Sequence, residues 1–324
     1  MNYYIGVDLG GTNLRAAIVD TDTGQICHQR QGLTLAAEGQ EAVIERIVQL
    51  IRELIRASGV SARTIKGVGI GVPGTPDMET GVIQLLPNLP GQWTNVPLQA
   101  IVEEQVQLPV ALINDVRAMT LGEWTFGAGR DVKTLVCLGI GTGIGGGVVV
   151  NGQFHLGIGG TAGEFGHQVV EINGLPCGCG GRGCLELYAS GPAIAAMGVK
   201  EVVHGHTTQI GKLVNHDLNR IDAEIIAQAA REGDQIAKGI LKRAGMYLGI
   251  AVGNILGVIS PQRVIFGGGV SRAGDLLLMP IVQTLKEHVH VIPVEEVEFV
   301  LAELGIHGGL IGAALWAKRR CERG

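Results

Sequence analysis

A glycine-rich turn near the N-terminus, Asp8-Leu9-Gly10-Gly11-Thr12-Asn13, is the first segment whose residue types could do chemistry. It follows an apolar strand and combines a carboxylate, a hydroxyl and backbone N–H groups that no side chain shields. Such a turn can approach anionic oxygens closely, which suits a phosphate group with Mg²⁺. A plain hairpin turn is the alternative. The candidate phosphate and Mg²⁺ ligands are Asp8, Gly10, Gly11, Thr12 and Asn13.

Two further glycine segments could bind a nucleotide. Gly141-Thr142-Gly143-Ile144-Gly145-Gly146 has the spacing of a dinucleotide-binding fingerprint, but that motif requires a helix directly after it. A strand pattern follows instead, so we reject a dehydrogenase and predict a second phosphate loop at Gly141, Thr142 and Gly143. Gly267-Gly268-Gly269 follows the strand Val264–Phe266, and Gly268 and Gly269 are expected to lie against the nucleotide, with Ser271 capping the next helix.

Asn114 and Asp115 directly follow the apolar strand predicted at Val110–Ile113. The carboxyl end of a strand is the usual position of catalytic groups in α/β proteins. A carboxylate at this position can accept a proton from a substrate hydroxyl. The alternative is that the pair only caps a helix, because Asn and Asp favour N-cap positions.

Three of the six cysteines are clustered and have a histidine upstream. One imidazole and three thiolates form a complete tetrahedral ligand set for zinc, which leaves no open position for a reacting water, so we expect a structural site. Unliganded buried cysteines are the alternative. Cys27, Cys137 and Cys321 fit no ligand spacing and are assigned no function. The predicted zinc ligands are His167, Cys177, Cys179 and Cys184.

Glu164 and Glu186 flank this cysteine cluster in the sequence. A loop fixed by a metal would carry both carboxylates into one neighbourhood, where they could accept hydrogen bonds from sugar hydroxyls. Ordinary surface exposure is the alternative for each glutamate.

Composition narrows the class of protein. The chain has 324 residues, 46% of them apolar and 17% charged, and a net charge of −5. It is long enough for two hydrophobic cores and too apolar for disorder. The absence of an apolar run of ~20 residues argues against a membrane span, and the absence of a basic cluster argues against nucleic acid. With clustered cysteines and no export signal, we expect a cytoplasmic protein.

Periodicity predicts mixed α/β architecture. Near the N-terminus the predicted strands are Tyr3–Leu9, Leu14–Asp20, Ile26–Leu33 and Ile65–Val72, with helices over 43–55 and 98–106. The opening hairpin then repeats, with Leu135–Ile140 as its first strand and Gly141 in the place of Gly10, which suggests two domains of one plan. The C-terminal third is expected to be mainly helical, with Asp222 as an N-cap, a helix over Ala237–Ile259 and a last helix over His307–Arg320.

Two motifs make the chain resemble the family of repressors, open reading frames and kinases known as ROK. They are Glu164-Phe165-Gly166-His167 and the run Cys177-Gly178-Cys179-Gly180-Gly181-Arg182-Gly183-Cys184-Leu185-Glu186. The resemblance implies two actin-like, hexokinase-type (ribonuclease H-like) α/β domains flanking a cleft. The smaller would comprise 1–114 plus about 307–324, and the larger 115–306, with the zinc loop at 167–184.

The resemblance also implies an ATP-dependent hexokinase, with glucose as the favoured substrate and the 6-hydroxyl as acceptor. Asp115 falls on the position of the catalytic base. His167 would bind zinc through one ring nitrogen and a sugar hydroxyl through the other. The sequence departs from the family pattern at Val116-Arg117, where relatives more often carry Ala-Asn or Ala-Asp. The implied hexose-binding residues are Gly74, Asn88, Asn114, Asp115, Glu164, His167 and Glu186.

Other members of the resembled family leave alternatives open. The same polar groups could bind N-acetylmannosamine, N-acetylglucosamine, allose or fructose. Polyphosphate could replace ATP as the donor. A sugar-sensing regulator is a further alternative, although family repressors carry a DNA-binding segment ahead of the glycine hairpin, which here begins at residue 3. We expect a homodimer.

Overall fold

The computed structural model describes residues 2–86, 89–91 and 93–322 of the chain. The chain divides into two compact units. The first unit comprises Met1–Asp131, Phe154–Ala162 and Ala302–Gly324, and the second comprises Val132–Gln153 and Gly163–Leu301.

Strands prevail in the first half of the chain and helices in the second. The strands are β1 (Tyr3–Leu9), β2 (Asn13–Asp20), β3 (Gln25–Leu33), β4 (Ile65–Val72), β5 (Thr75–Asp77), β6 (Val82–Leu85), β7 (Val110–Asn114), β8 (Leu135–Ile140), β9 (Ile144–Val150), β10 (Gln153–His155), β11 (Arg263–Gly267) and β12 (Glu298–Leu301). The α-helices are α1 (Gln40–Ser58), α2 (Leu98–Val106), α3 (Asp115–Phe126), α4 (Glu186–Ala189), α5 (Gly191–Val203), α6 (Ile210–Leu213), α7 (Ala223–Arg231), α8 (Gln235–Ile259), α9 (Asp275–His288) and α10 (Gly308–Cys321).

The sheet of the first unit has the order β3-β2-β1-β4-β7. β1 and β2 are antiparallel, whereas β4 runs parallel to both β1 and β7. Asp8 of β1 pairs with Gly71 of β4, which pairs with Ile113 of β7. This register aligns the carboxyl ends of the three strands, so it places Asp8 and the start of α3 at the same edge of the sheet.

The other five-stranded sheet repeats this plan, with the order β10-β9-β8-β11-β12, and its strands β8, β9, β11 and β12 lie in the second unit. β8 and β9 are antiparallel, and β11 runs parallel to both β8 and β12. Gly141 therefore follows β8 as Gly10 follows β1. The α/β class and the repeat inferred from the two glycine turns are both confirmed.

Several predicted elements match the structure residue for residue, including Ile65–Val72, Leu98–Val106 and Leu135–Ile140. Asp222 caps α7 as expected, because its Oδ1 accepts a hydrogen bond from Ile225 N at 2.8 Å. The hairpin of β5 and β6 was not predicted, since these strands are short and one contains a proline.

The predicted domain boundary after Asn114 lies before α3, whereas the structure groups α3 with the first unit. The reason is packing, because α3 contacts the last helix, α10, along its length. The short strap Phe154–Ala162 also belongs to the first unit. Neither grouping has a local sequence signal.

The final helix α10 lies unusually close to the sheet of the first unit. A Cβ atom added at Gly6 would lie 1.8 Å from the Leu310 carbonyl oxygen, and one at Gly69 would lie 1.8 Å from that of Ala313. On the α3 side, a Cβ at Gly312 would lie 1.6 Å from the Ala118 oxygen. These contacts exist only because the residues are glycines.

The second unit has its main hydrophobic core around α8, which packs against α7 and α9. In the described part of the chain, no helix combines the length and the hydropathy that crossing a membrane requires.

Substituting Gly312 by alanine should destabilise the first unit. The added methyl group has no room against the Ala118 backbone, so we expect a loss of about 1–3 kcal/mol, although alanine is normally the better helix former. Urea unfolding followed by tryptophan fluorescence measures this unit, since Trp93, Trp124 and Trp316 all lie in it.

Gly32→Ala is the matched control, because Gly32 lies on β3 with no atom within 4 Å of the added Cβ. Its effect should stay within about 0.5 kcal/mol. Equal midpoints for the two variants would contradict the packing argument.

Candidate active site

Asp115 is the first residue of α3, directly after β7. The preceding residue, Asn114, caps the helix, because its Oδ1 accepts hydrogen bonds from Val116 N and Arg117 N, both at 3.1 Å. Asn114 Nδ2 donates to the Gly74 carbonyl at 3.1 Å. Asn114 thus performs the capping that the alternative interpretation proposed, and Asp115 is not the N-cap.

The surroundings of Asp115 suit proton transfer. Burial, and then the negative charge of Asp8, raise its pKa to about 7, against the smaller lowering effects of the Val116 N–H and Arg117. Burial also raises the pKa of Asp8, which Arg15 opposes through an ion pair of 3.3 Å between Arg15 Nη1 and Asp8 Oδ2. A carboxylate with a pKa near neutrality can act as a general base at physiological pH.

The turn between β1 and β2 is closed by a hydrogen bond from Gly10 N to Asn13 O at 2.9 Å. Gly11 and Thr12 are exposed at its tip. The fully buried Thr34 holds the turn from behind, since its N donates to Thr12 O at 2.9 Å and its Oγ1 donates to Gly10 O at 2.7 Å. Sequence reasoning missed Thr34, because its partners lie far from it in the chain.

Arg15 was also missed, although the hairpin register offered a signal. It is directly opposite Asp8 in the β1–β2 pairing. Opposite charges at facing positions of adjacent strands are expected to pair.

In the second unit, the structure brings the two predicted nucleotide loops together. Gly141 N donates to Gly143 O at 2.9 Å, and the Gly141 carbonyl accepts from Gly191 N, at the start of α5, at 2.8 Å. Gly268 has a φ of +87°, and a Cβ there would lie 2.4 Å from the Ile140 oxygen. The loops that carry Gly141, Thr142, Gly143, Gly268 and Gly269 therefore share one edge of the second sheet, beside a helix N-terminus.

The strand β9 follows the first loop, which agrees with rejecting a dinucleotide fold. The expected role of Ser271 is wrong. It lies inside the short 3₁₀ turn Val270–Ala273, and its hydroxyl donates to the Gly268 carbonyl at 2.8 Å. The local hydrogen bond stabilises the glycine loop, and α9 begins later, after Gly274.

The four predicted metal ligands form one cluster, with His167 Nδ1 and the three sulfur atoms all within 4.8 Å of one another. Cys179 Sγ and Cys184 Sγ are 3.7 Å apart, and Cys177 Sγ lies 3.9 Å from His167 Nδ1. Two thiolates on one tetrahedral zinc ion are about 3.8 Å apart, given Zn–S bonds of ~2.3 Å. The donor set therefore fits a tetrahedral metal ion.

The cysteine cluster is held by its own backbone. Cys177 N donates to Gly181 O at 2.9 Å, and Gly180 N donates to Cys177 O at 3.0 Å. Burial raises the pKa of Cys184 to about 12, whereas a backbone hydrogen bond from Gly181 lowers the pKa of Cys179 to about 7. Forming three adjacent thiolates thus requires a compensating cation.

The glutamates of the two motifs lie beside this cluster. Glu186 Oε1 is 3.7 Å from His167 Nδ1 and 3.3 Å from Cys177 Sγ. Glu164 is tied to His167 by a backbone hydrogen bond of 3.1 Å from His167 N to Glu164 O. Glu186 therefore lies beside the histidine, whereas the contact of Glu164 with His167 is through the backbone.

Two predicted sugar-binding positions remain. Gly74 has a φ of +118°, and a Cβ there would lie 2.4 Å from the Leu85 oxygen, so the turn after β4 requires glycine. Asn88 lies outside the described residues.

Comparison with known proteins identifies the class. The ROK family model matches residues 4–320, and the chain belongs to the ROK family.

Three relatives illustrate the range of the family. A glucokinase of Thermotoga maritima is 40% identical over 98% of this chain and 97% of its own length. A ROK family glucokinase from Streptomyces griseus, solved with glucose and AMPPNP, has a TM-score of 0.87 at 32% identity and covers 98% of this chain and 99% of its own. A putative xylose repressor of Caldicellulosiruptor is 34% identical over 85% of this chain and 67% of its own length.

Replacing Asp115 by asparagine should stabilise the ligand-free protein at high pH. A carboxyl whose pKa rises on folding binds its proton more tightly in the folded state, so it lowers stability as pH rises from about 4 to 7. Asparagine removes this effect. The gain should be absent near pH 4 and level off above pH 7, with each unit of pKa difference contributing at most about 1.4 kcal/mol.

Thermal unfolding midpoints across this pH range would measure the gain. Asp131→Asn, at an exposed aspartate of the same unit, is the control. A constant difference between Asp115→Asn and the wild type at every pH would contradict the raised pKa.

Proposed function

We propose that this protein is an ATP-dependent glucokinase, which transfers the γ-phosphoryl group of ATP to the 6-hydroxyl of glucose. The observation that carries the proposal is Asp115, a carboxylate with a pKa of about 7 at the edge of a sheet beside a glycine turn. The similarity to the T. maritima and S. griseus glucokinases supports the choice of reaction and of both substrates.

In this mechanism Asp115 accepts the proton of the sugar 6-hydroxyl. The oxygen then forms a bond to the γ-phosphorus as the bond from that phosphorus to the β,γ-bridging oxygen breaks, and ADP leaves. The Val116 N–H donates to Asp115 Oδ1 at 2.8 Å and so orients the carboxylate. No covalent intermediate with the protein is needed.

The phosphates of ATP are assigned to the glycine loops. The backbone N–H groups of 10–13 and of 141–143 can donate to phosphate oxygens, and Gly268 and Gly269 would lie against the nucleoside. Asp8 is the proposed link to Mg²⁺, since desolvation raises the pKa of this half-buried carboxyl and a nearby cation would stabilise its charged form. When bound, Mg²⁺ neutralises charge on the phosphate oxygens.

Glucose is assigned to polar groups near the base and near the cysteine cluster. Asn114 uses one amide hydrogen for Gly74 and keeps the second for a sugar oxygen. His167 directs Nδ1 at the cysteines, which leaves Nε2 for a sugar hydroxyl. The full proposed set is Gly74, Asn88, Asn114, Asp115, Glu164, His167 and Glu186.

Zinc is the proposed occupant of the cluster formed by His167, Cys177, Cys179 and Cys184. Three sulfur ligands and one nitrogen, at distances close to those of a tetrahedral site, favour zinc over hard cations. Its proposed role is structural, to fix the ring of His167 for sugar binding. A cytoplasmic location and a homodimeric state remain predictions.

Purified protein with Mg²⁺ and ATP should release ADP in a sugar-dependent way, fastest with glucose among glucose, mannose, fructose, allose, N-acetylglucosamine and N-acetylmannosamine. Asp115→Asn should lower kcat by at least about 10²-fold, because general-base catalysis contributes about that much. It should largely spare glucose binding, measured by calorimetry.

Other outcomes of this assay would change the proposal. Preference for another hexose would retain the mechanism and replace the substrate. ADP release by Asp115→Asn at the wild-type rate would contradict the proposed base. Glucose binding without turnover, with either ATP or polyphosphate, would favour a sugar-sensing regulator, like the repressors among the relatives.

Cys179→Ser should lose zinc and weaken glucose binding. Without the metal, the ring of His167 is no longer fixed. Losing a supporting contact of this kind typically lowers affinity or activity about 10–100-fold. Elemental analysis should fall from one zinc per chain to none, with a matching rise in KM for glucose.

The exposed Cys321→Ser is the control and should change neither value. Loss of zinc with an unchanged KM for glucose would show that the metal is not needed for sugar binding and would contradict its proposed role.

A further inference from the structure

Arg117 is a buried cation that the proposed mechanism does not use. It lies in the first turn of α3, and only 2% of its surface is exposed. Its backbone N is fixed by Asn114 Oδ1 at 3.1 Å, and its Nε donates to the Ala162 carbonyl at 3.0 Å. Burying a guanidinium is costly unless hydrogen bonds and negative charge compensate. Hydrogen bonds from both its backbone and its side chain hold Arg117 in place, two residues after Asp115.

The hydrogen bond of Arg117 fixes the end of the strap Phe154–Ala162. The strap belongs to the first unit, where Phe154 and Leu156 pack against the apolar cluster of α3 and α10. Ala162 N donates to Leu156 O at 2.8 Å, which closes the strap. Along the chain, Ala162 is followed by Gly163 and then by the proposed sugar ligand Glu164.

Arg117 and Asp115 lie in the same first turn of α3, so the positive charge of Arg117 is close to that carboxylate. Of the charged groups around that carboxylate, Asp8 on β1 raises its pKa and Arg117 lowers it, while Arg15 on β2 is paired with Asp8. The neighbouring strand β4 contributes Gly71 at this point, and α10 begins with two glycines. Residues two apart leave a helix on different sides, so Arg117 is placed to act on Asp115 through its charge.

We infer that Arg117 is a positioning residue for phosphoryl transfer, which supplies the positive charge beside Asp115 and anchors the strap that leads to Glu164. This inference rests on the proposed function.

Two substitutions separate the two roles. Arg117→Gln removes the charge but keeps an amide donor for the Ala162 carbonyl, whereas Arg117→Lys keeps the charge but loses Nε. The control is Arg52→Gln, since Arg52 Nη2 donates to the Gln105 carbonyl at 2.8 Å in the same unit but far along α1. For each variant, kcat and KM for glucose are measured from pH 5.5 to 9.

At low pH, kcat/KM should fall as Asp115 becomes protonated, and this fall is the acid limb of the pH profile. With Arg117→Gln, the acid limb should move to higher pH. A nearby cation typically lowers an acid's pKa by about one unit or more, so activity below the limb should fall about tenfold and recover near pH 9. With Arg117→Lys, the limb should stay in place, and KM should rise about three- to tenfold for the lost hydrogen bond. Arg52→Gln should match the wild type.

If Arg117→Gln lowers kcat/KM by the same factor at every pH, Arg117 has only a structural role and the inference is overturned. An unchanged KM in Arg117→Lys would overturn the anchoring role. If Arg117→Gln does not fold, an acid limb that moves in Arg117→Lys would overturn the charge role. Two other results would instead overturn the proposed base. They are a wild-type pH profile with no acid limb, and an acid limb that is still present in Asp115→Asn.

Discussion

The close approach of α10 to β1, β4 and α3 is the constraint on which the first unit depends. At Gly6, Gly69 and Gly312 the space of a missing side chain is occupied by a backbone carbonyl of a neighbouring element. A helix packed through glycines sits several ångströms nearer than ridges of larger side chains would allow. The buried Trp316 adds a hydrogen bond from Nε1 to Leu112 O at 2.8 Å. The last residues of the chain thereby fix the strands and helix that carry the carboxylates.

This packing explains the electrostatics of the site. The strand register brings Asp8 to the start of α3, and α10 begins at the same place, with a Cβ at Gly309 only 3.8 Å from the Asp8 carboxyl. The surrounding protein atoms displace water from these carboxyls, so desolvation raises the pKa values of both Asp8 and Asp115. The two arginines act against this effect, Arg15 by pairing with Asp8 and Arg117 through its buried charge. The pKa of the proposed base, Asp115, thus depends on a balance between desolvation and the charges of its neighbours.

The second unit repeats the sheet but carries glycine loops and an irregular cysteine-rich segment at its functional positions. Its glycine loops lie against one another and against the start of α5, which makes an edge rich in backbone donors. The segment after the strap has little regular secondary structure, and short-range contacts hold it. Tyr188 Oη accepts from Leu175 N at 2.9 Å, and its ring lies 4.6 Å from that of Tyr247 on α8. A metal at the cysteine cluster would complete this stabilisation, since Val169, Ile172 and Leu175 of this segment are exposed and add little to a core.

The sequence alone determined the features that are local. The periodicity of apolar residues predicted the bounds of β4, α2 and β8 residue for residue. The spacing of the motif identified the four residues of the cysteine cluster, because such ligands lie within one short loop. Tertiary structure decided what depends on distant partners. The membership of α3 in the first unit, Thr34 behind the glycine turn, and the environments of Asp8, Asp115 and Arg117 all arise from residues far apart in the chain. Periodicity records which face of an element is apolar, but burial and charge at a site depend on which elements meet there.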